Sequence, residues 1–238
     1  MAAHHKCIKY IEEILAFAKQ YSGEYGWGCD WSKACQLGSC GFGRSAKNYL
    51  DEKCGLRFRK LAGYLEYCHD LKTTTIDVAG KKRELHLDLS LPIEDDSLIG
   101  AFDFVISYAT IEHVEDQYEL FRNIHNLCKV GGVVIVNGSA MGAYEGHGTW
   151  RYDFWFFKRL FKACKYIPLD IRVSANKYCG AAGKHATVYA SYIKVKDEVF
   201  IDRENFKFPN YDSIGHETDK KVYEKHRLKR SLEVGKFL

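Results

Sequence analysis

Apolar positions at three- and four-residue steps open the chain. Ile8, Ile11, Leu15 and Ala18 share one side of a helical projection, with Glu12, Glu13 and Lys19 opposite. That spacing predicts a helix over residues 6–20. The run YSGEYGWGCDW that follows is rich in Gly and aromatics and reads as an ordered loop. Lys33 to Leu37 (KACQL) reads as a short strand running into GSCGFG. Residues 56–70 read as a helix with Leu61, Leu65 and Cys68 on one side.

From Thr73 the pattern changes to short apolar runs, each ending in an acid or a Gly-rich turn. Thr73 to Val78 is β-branched and stops at Asp77-Val78-Ala79-Gly80, a strand and a turn. Glu84 to Leu89 reads as a short strand, and Pro92 to Gly100 as a polar turn region. Phe102 to Tyr108 is apolar almost throughout, as a buried strand should be. Asp116 can cap the next helix, with Glu119 answering as in a capping box, and Leu120, Phe121, Ile124, Leu127 and Cys128 form its apolar stripe. Gly131-Gly132 is expected to end that helix and release a buried strand over Val133 to Asn137. Asp153 begins another helix, with Phe157, Leu160, Phe161 and Cys164 inward, and Pro168 to Val173 and Ala186 to Lys194 supply the final strands. Alternating strands and helices predict an α/β fold with a mainly parallel sheet and helices on both faces.

At 238 residues the chain is long enough for one substantial core. No apolar run approaches the roughly 20 residues of a membrane span, and the N-terminus lacks an apolar signal core. The expectation is a cytoplasmic protein. Nine scattered cysteines read as small buried apolar groups in a reducing compartment. Cys29, Cys35, Cys40 and Cys54 do not form the two C-x2-4-C pairs of a structural zinc site, so no metal site is assigned. The net charge of +4 is uneven: residues 215–238 carry seven Lys/Arg against four acids, and the preceding 214 carry 28 against 27. The basic tail is a solvated end or a contact for a polyanion.

A sheet that presents acids and loops at the carboxyl ends of its strands suits a nucleotide-like ligand there. Asp77 can accept from both hydroxyls of a ribose, or cap the next turn. Asp88 can meet an adenine amino group, or serve as a turn residue. KACQLGSCGFG, residues 33–43, is the candidate loop for close backbone approach to the ligand. In YATIEHVE, residues 108–115, His113 is a base near neutral pH or a pin between loop and helix, and Glu112 can orient a group or bind an amine. The loop GSAMGAYEGHG, residues 138–148, carries His147, the first choice for a substrate contact or general base. Trp150, Tyr152, Phe154 and Trp155 either line an apolar substrate pocket or pack a helix.

Taken as an ordered set, FDFVISYATIEHVED, LFRNIHNLCKVGGVVIV and LDLSLPIEDDS resemble class I S-adenosylmethionine-dependent methyltransferases, over roughly residues 33–165. The resemblance is to the group whose fourth strand ends in an EHV-type motif. It implies a Rossmann-like seven-stranded sheet with the last strand antiparallel, and S-adenosylmethionine as cofactor. Carried over, Gly38 with Gln36, Ser39 and Gly41 would lie beneath the methionine part. Asp77, with Val78 beside it, would hold the ribose. Asp88 and Leu89 would flank the adenine, and Tyr108, Ala109 and Thr110 would border the methyl group. His147, His113 and Glu112 would be the catalytic candidates. The chain departs from the family at Gln36, where an acid is usual, and in a glycine motif whose Gly41 and Gly43 are out of step. The long separation of Gly38 from Asp77 requires an insertion or an extra helix within residues 44–70.

The implied activity is methyl transfer to an oxygen or nitrogen of a small molecule. An inactive scaffold of the same fold and a methyltransferase acting on RNA or protein are the alternatives. The expected organisation is an N-terminal decoration over 1–32, a methyltransferase-like domain over 33–196 and a C-terminal extension over 197–238. Oligomeric state is left open.

Overall fold

The computed structural model describes residues 2–25, 29–79, 84–144, 146–175 and 186–211. In chain order its elements are β1 (Ala2–Ala3), α1 (His5–Tyr25), β2 (Lys33–Leu37), β3 (Gly41–Phe42), α2 (Arg44–Cys54), α3 (Leu61–His69) and β4 (Lys72–Ile76). There follow β5 (Phe102–Tyr108), a 3-10 turn (Ile111–His113), α4 (Gln117–Leu127), β6 (Cys128–Ser139), β7 (Trp150–Arg151), α5 (Phe154–Ala163), β8 (Ile167–Ala175), β9 (Ala186–Ile193), a 3-10 turn (Arg203–Asn205) and β10 (Asn210–Tyr211).

The main sheet has six strands in the order β4-β2-β5-β6-β9-β8. β4, β2, β5 and β6 run parallel, and β9 is antiparallel to both of its neighbours. This is the expected α/β architecture, one strand short of seven. The missing strand is the one expected over Glu84 to Leu89. Only Leu85 pairs there, in a single parallel bridge with Ile76, and the chain then turns at Asp88, whose carboxylate accepts from Ser90 N–H at 2.9 Å.

Alternation along the strands explains why both faces are covered. Ala34, Phe104, Ile106, Val133, Ile135, Tyr189 and Ile193 face one core, with α1, α2 and α3. Cys35, Leu37, Val105, Val134, Val136, Val188 and Ala190 face the other, with α4 and α5. Successive residues of a strand point to opposite faces, so strands covered on both sides are largely apolar on both. β5 has all seven residues buried.

Local chemistry sets the helix ends. Asp116 accepts from Glu119 N–H at 3.0 Å and Asp153 accepts from Phe156 N–H at 2.6 Å, each relieving an orphan donor of the first turn. The expected return bond of a capping box is replaced: the Glu119 carboxylate pairs with Arg122 at 2.7 Å and Arg203 at 3.2 Å. Gly131-Gly132 does not end α4. That helix stops at Leu127, and both glycines lie inside β6, where pairing with β5 skips from Cys128 to Val133. A Cβ on Gly132 would come within 2.8 Å of Cys128 Sγ, so the pair makes room for an irregular strand crossing. The helix expected over residues 56–70 begins at Leu61, and the extra helix required within 44–70 is α2, ended by left-handed Gly55.

The N-terminus is built into this framework. β1 pairs with β3, and Gly43 N–H donates to Ala3 C=O at 3.0 Å. Ile8, Ile11 and Leu15 of α1 are fully buried, and Tyr10 reaches across to donate to Ser191 Oγ at 2.9 Å. Cys35 and Cys40 belong to opposite cores and Cys54 is exposed, which separates the cysteines considered for zinc. Among the described residues, no helix is long and apolar enough to cross a membrane. The basic tail, residues 215–238, lies outside the described residues.

Candidate active site

The carboxyl ends of β2, β4 and β5 bring the predicted ligand loops to one edge of the sheet. β2 ends at Leu37, and Gly38 turns the chain in the left-handed region at φ +77°, its N–H donating to Ile76 C=O at 2.8 Å. Ser39 N–H then donates to Asp77 Oδ2 at 2.6 Å, and Asp77 Oδ1 accepts from Ala79 N–H at 2.8 Å. The strand-end carboxylate therefore ties the glycine turn to the end of β4 and keeps lone pairs toward solvent, since Asp77 is only half-buried. Beside it Ser39 Oγ donates to Glu84 at 2.9 Å, and Lys60 bridges Ser39 and Glu84. Neither Lys60 nor Glu84 was singled out in the sequence, because their meeting depends on the path of the chain around α3.

Gln36 lies under this turn, almost fully buried. Its Nε2 donates to Gly38 C=O at 2.7 Å, while its Oε1 has no partner among the described residues. Two further strand-end polar atoms, Ser107 Oγ and Asn137 Oδ1, are likewise buried without a partner. An unmet buried acceptor costs on the order of 1–3 kcal/mol. Such a group under a glycine turn, flanked by strand-end carboxylates, suits a polar ligand that brings donors, such as an amino-acid ammonium or ribose hydroxyls.

Thr110 stands directly against Gly38. A Cβ on that glycine would sit 1.9 Å from Thr110 Oγ1, so only glycine fits. Ala109 takes φ +51°, an uncommon conformation for a residue with a side chain, and its N–H donates to Asn137 C=O at 2.9 Å. Tyr108 points into the core beneath α1, near Cys7, Cys40 and Tyr189, where burial pushes its phenol pKa up. Leu89 is buried in the α4-side core, Asp88 is buried beside it, and Val78 is half-buried next to Asp77. Gly41 is held in β3 against β1 and by a bridge to Lys60.

The second cluster grows from the end of β5. Glu112 and His113 lie in the 3-10 turn, and Gln117 at the start of α4 fixes that turn by donating to Ile111 C=O at 2.9 Å and Val114 C=O at 2.8 Å. Tyr152, fully buried, donates to Gln117 Oε1 at 2.6 Å. The loop after β6 is drawn back over the turn: Thr149 N–H donates to Glu112 C=O at 2.7 Å. Gly148, at φ +79°, packs so closely on Glu112 that a Cβ would meet its side chain at 2.9 Å. Arg151 gives its guanidinium to loop carbonyls, those of Tyr144, Gly148 and Trp150. His147 is thereby set edge-on to His113, with ring centroids 4.8 Å apart. The three candidates His147, His113 and Glu112 come together, although 33 residues lie between His113 and His147.

Glu112 is buried, with Oε1 accepting from Ser139 Oγ at 3.1 Å. Desolvation raises its carboxyl pKa above the ordinary value, against the opposing pull of His113 and Ser139. The aromatic run divides in two. Tyr152 packs with Phe156, Phe157 and Phe121 in the core, whereas Phe154 and Trp155 are exposed and stack under Lys158.

The model of a methyltransferase domain family matches residues 39–136. No curated protein matches the chain. Solved structures similar to it include phosphoethanolamine N-methyltransferase 2 of Haemonchus contortus in complex with S-adenosyl-L-methionine, at 14% identity and TM-score 0.41 over 71% of this chain and 50% of that one. Another is the 1,6-didemethyltoxoflavin-N1-methyltransferase of Burkholderia thailandensis, at 11% identity and TM-score 0.43, covering 82% of this chain and 92% of that one. A TehB-like methyltransferase of Corynebacterium glutamicum is similar at 15% identity and TM-score 0.40, over 75% of this chain and 98% of that one. The chain thus spans half the length of the Haemonchus enzyme. Residues 39–136, from just after the Gly38 turn into the buried part of β6, match the methyltransferase domain model, in line with the class I S-adenosylmethionine-dependent methyltransferases that the strand-end motifs resemble.

Proposed function

We propose that this chain is an S-adenosylmethionine-dependent methyltransferase acting on an oxygen or nitrogen of a small molecule. The observation that carries the reading is the match of the methyltransferase domain to the segment that also carries Asp77, Asp88 and the turn after β5. At these strand ends, the Gly38 turn and the unmet Gln36 Oε1 would receive the amino-acid end of the cofactor, Asp77 its ribose, and Asp88 with Leu89 its adenine. Tyr108, Ala109 and Thr110 would border the reactive methyl.

A bound sulfonium supplies a methyl group already activated for in-line displacement. Alignment is then the main task left to the protein. An acceptor hydroxyl or ammonium must also lose a proton. Exposed His147 and His113 beside it are placed to take it, with Glu112 behind them. The solvent-facing position of His147 favours an acceptor that enters past the 140–150 loop.

One observation favours the scaffold alternative. Ser39 N–H and the backbone of Gly41 and Phe42, which a ligand loop would offer to a cofactor, are already bonded to Asp77 and β1. The two readings separate in an acceptor screen that measures S-adenosylhomocysteine formation with small hydroxyl and amine compounds, and with RNA as a third arm. Turnover with a small acceptor supports the proposal. Turnover with RNA alone, lost on deleting residues 215–238, moves the function to a nucleic acid. No turnover in any arm contradicts the enzyme reading.

A further inference from the structure

Glu112, His113 and His147 each offer one ligand atom, and those atoms lie within 4.8 Å of one another. Two imidazoles and one carboxylate form a set typical of divalent first-row transition ions, and three protein ligands leave a position open for water or substrate. A second observation points the same way. Glu112 is 1% exposed, its Oε1 is satisfied by Ser139, and its Oε2 has no hydrogen-bond partner among the described residues. A buried carboxylate oxygen left unmet next to two histidines is costly unless a cation completes it.

We propose that Glu112, His113 and His147 form a binding site for one divalent transition-metal ion, of the Zn2+ or Co2+ type, beyond the carboxyl end of β5. The framework holds two of the three donors before any ion arrives. Gln117 clamps the 3-10 turn that carries Glu112 and His113, and Ser139 fixes one oxygen of the carboxylate. The third donor comes from a loop held at both ends: His147 N–H donates to Tyr144 C=O at 2.8 Å, and Thr149 N–H to Glu112 C=O. Donors around a tetrahedral zinc, at about 2.0–2.1 Å from it, stand roughly 3.3 Å apart. With all three donors within 4.8 Å, no pair has to close by more than about 1.5 Å. The open coordination position would face the side on which His147 is exposed, where a water or an acceptor oxygen or nitrogen can enter. Ion binding itself does not depend on the methyl-transfer reading; with an ion in place the imidazole lone pairs are engaged, so His113 and His147 would then hold the ion and no longer take the acceptor's proton.

The test is a titration of chelator-stripped protein with Zn2+ and with Co2+, without S-adenosylmethionine. The expected result is one ion per chain, with visible cobalt absorption typical of low coordination number and no thiolate-to-cobalt charge-transfer band. His147→Ala, a change at an exposed loop residue, should weaken binding by at least about tenfold. Glu112→Gln should do likewise while leaving the chain folded by circular dichroism. Should Glu112→Gln unfold, the His147→Ala result stands alone. Absence of stoichiometric binding, a thiolate band, or unchanged affinity in His147→Ala would each overturn the proposal. Because no methyl donor is present, failure here leaves the methyltransferase reading standing, and success here survives its failure.

Discussion

At the scale of single residues, Gly38 carries the heaviest constraint. It combines a left-handed backbone with a Cβ position already filled by Thr110, and β-branched Thr110 has little rotamer freedom with which to yield. Gly38→Ala should therefore cost roughly 1–3 kcal/mol in urea unfolding and abolish cofactor binding. A stable variant that still binds would show that the turn is not the ligand seat. His125 makes a different prediction. Its Nδ1 accepts from Tyr166 Oη at 2.7 Å and its Nε2 donates to Glu198 C=O at 2.7 Å, an arrangement that uses the neutral ring. Burial, with Lys194 nearby, lowers its pKa to about 4. The unfolded chain takes up this proton below about pH 6.5 and the folded one only near 4, so stability is complete above 6.5 and declines between those values. The loss should approach about 3 kcal/mol at the lower end. His125→Phe should flatten the pH dependence of ΔG in that window, and an unchanged slope would contradict the assignment.

At the scale of elements, the turn after β5 depends on α4. Gln117 satisfies Ile111 C=O, Val114 C=O and the Tyr152 hydroxyl at one buried point. Gln117→Leu strands all three, and each unmet group costs on the order of 1–3 kcal/mol. We expect a loss of several kcal/mol in urea unfolding, with Tyr152→Phe costing far less. Equal effects would mean that Gln117 is not the clamp. This turn also marks what the sequence could reveal. Strands β2 and β5 were legible to the residue, because a short, mostly apolar run closed by a turn has few readings other than a doubly covered strand. Asp116 and Asp153 announced their helices through short-range hydrogen bonds. Gly131-Gly132 misled, because a glycine pair after an apolar stripe reads as a helix stop, whereas here it admits the crowded crossing of β6 past Cys128. The segment Glu84 to Leu89 misled for a related reason: it alternates like a strand but turns away at Asp88 after one bridge.

At the scale of the whole molecule, two cores on opposite faces of one sheet fix where the loops emerge. α1, α2 and α3 cover one face, α4 and α5 the other, and the carboxyl ends of the parallel strands are left to carry ligand chemistry. The meeting of His147 with Glu112 and His113 follows from this layout, since β6 and the bridge of Ala140 to Tyr152 return the loop over the end of β5. Sequence reading named those three residues as candidates, but their contact depends on long-range pairing that no local pattern encodes. The Lys60–Glu84–Ser39 network was missed for the same reason. Whether the strand ends receive S-adenosylmethionine is decided by calorimetric titration with S-adenosylmethionine and S-adenosylhomocysteine, alongside Asp77→Ala. The parent chain should bind one-to-one in the micromolar range, and the variant should lose that binding while its fold persists. Absence of binding to either compound, or binding indifferent to Asp77, would contradict a cofactor site there.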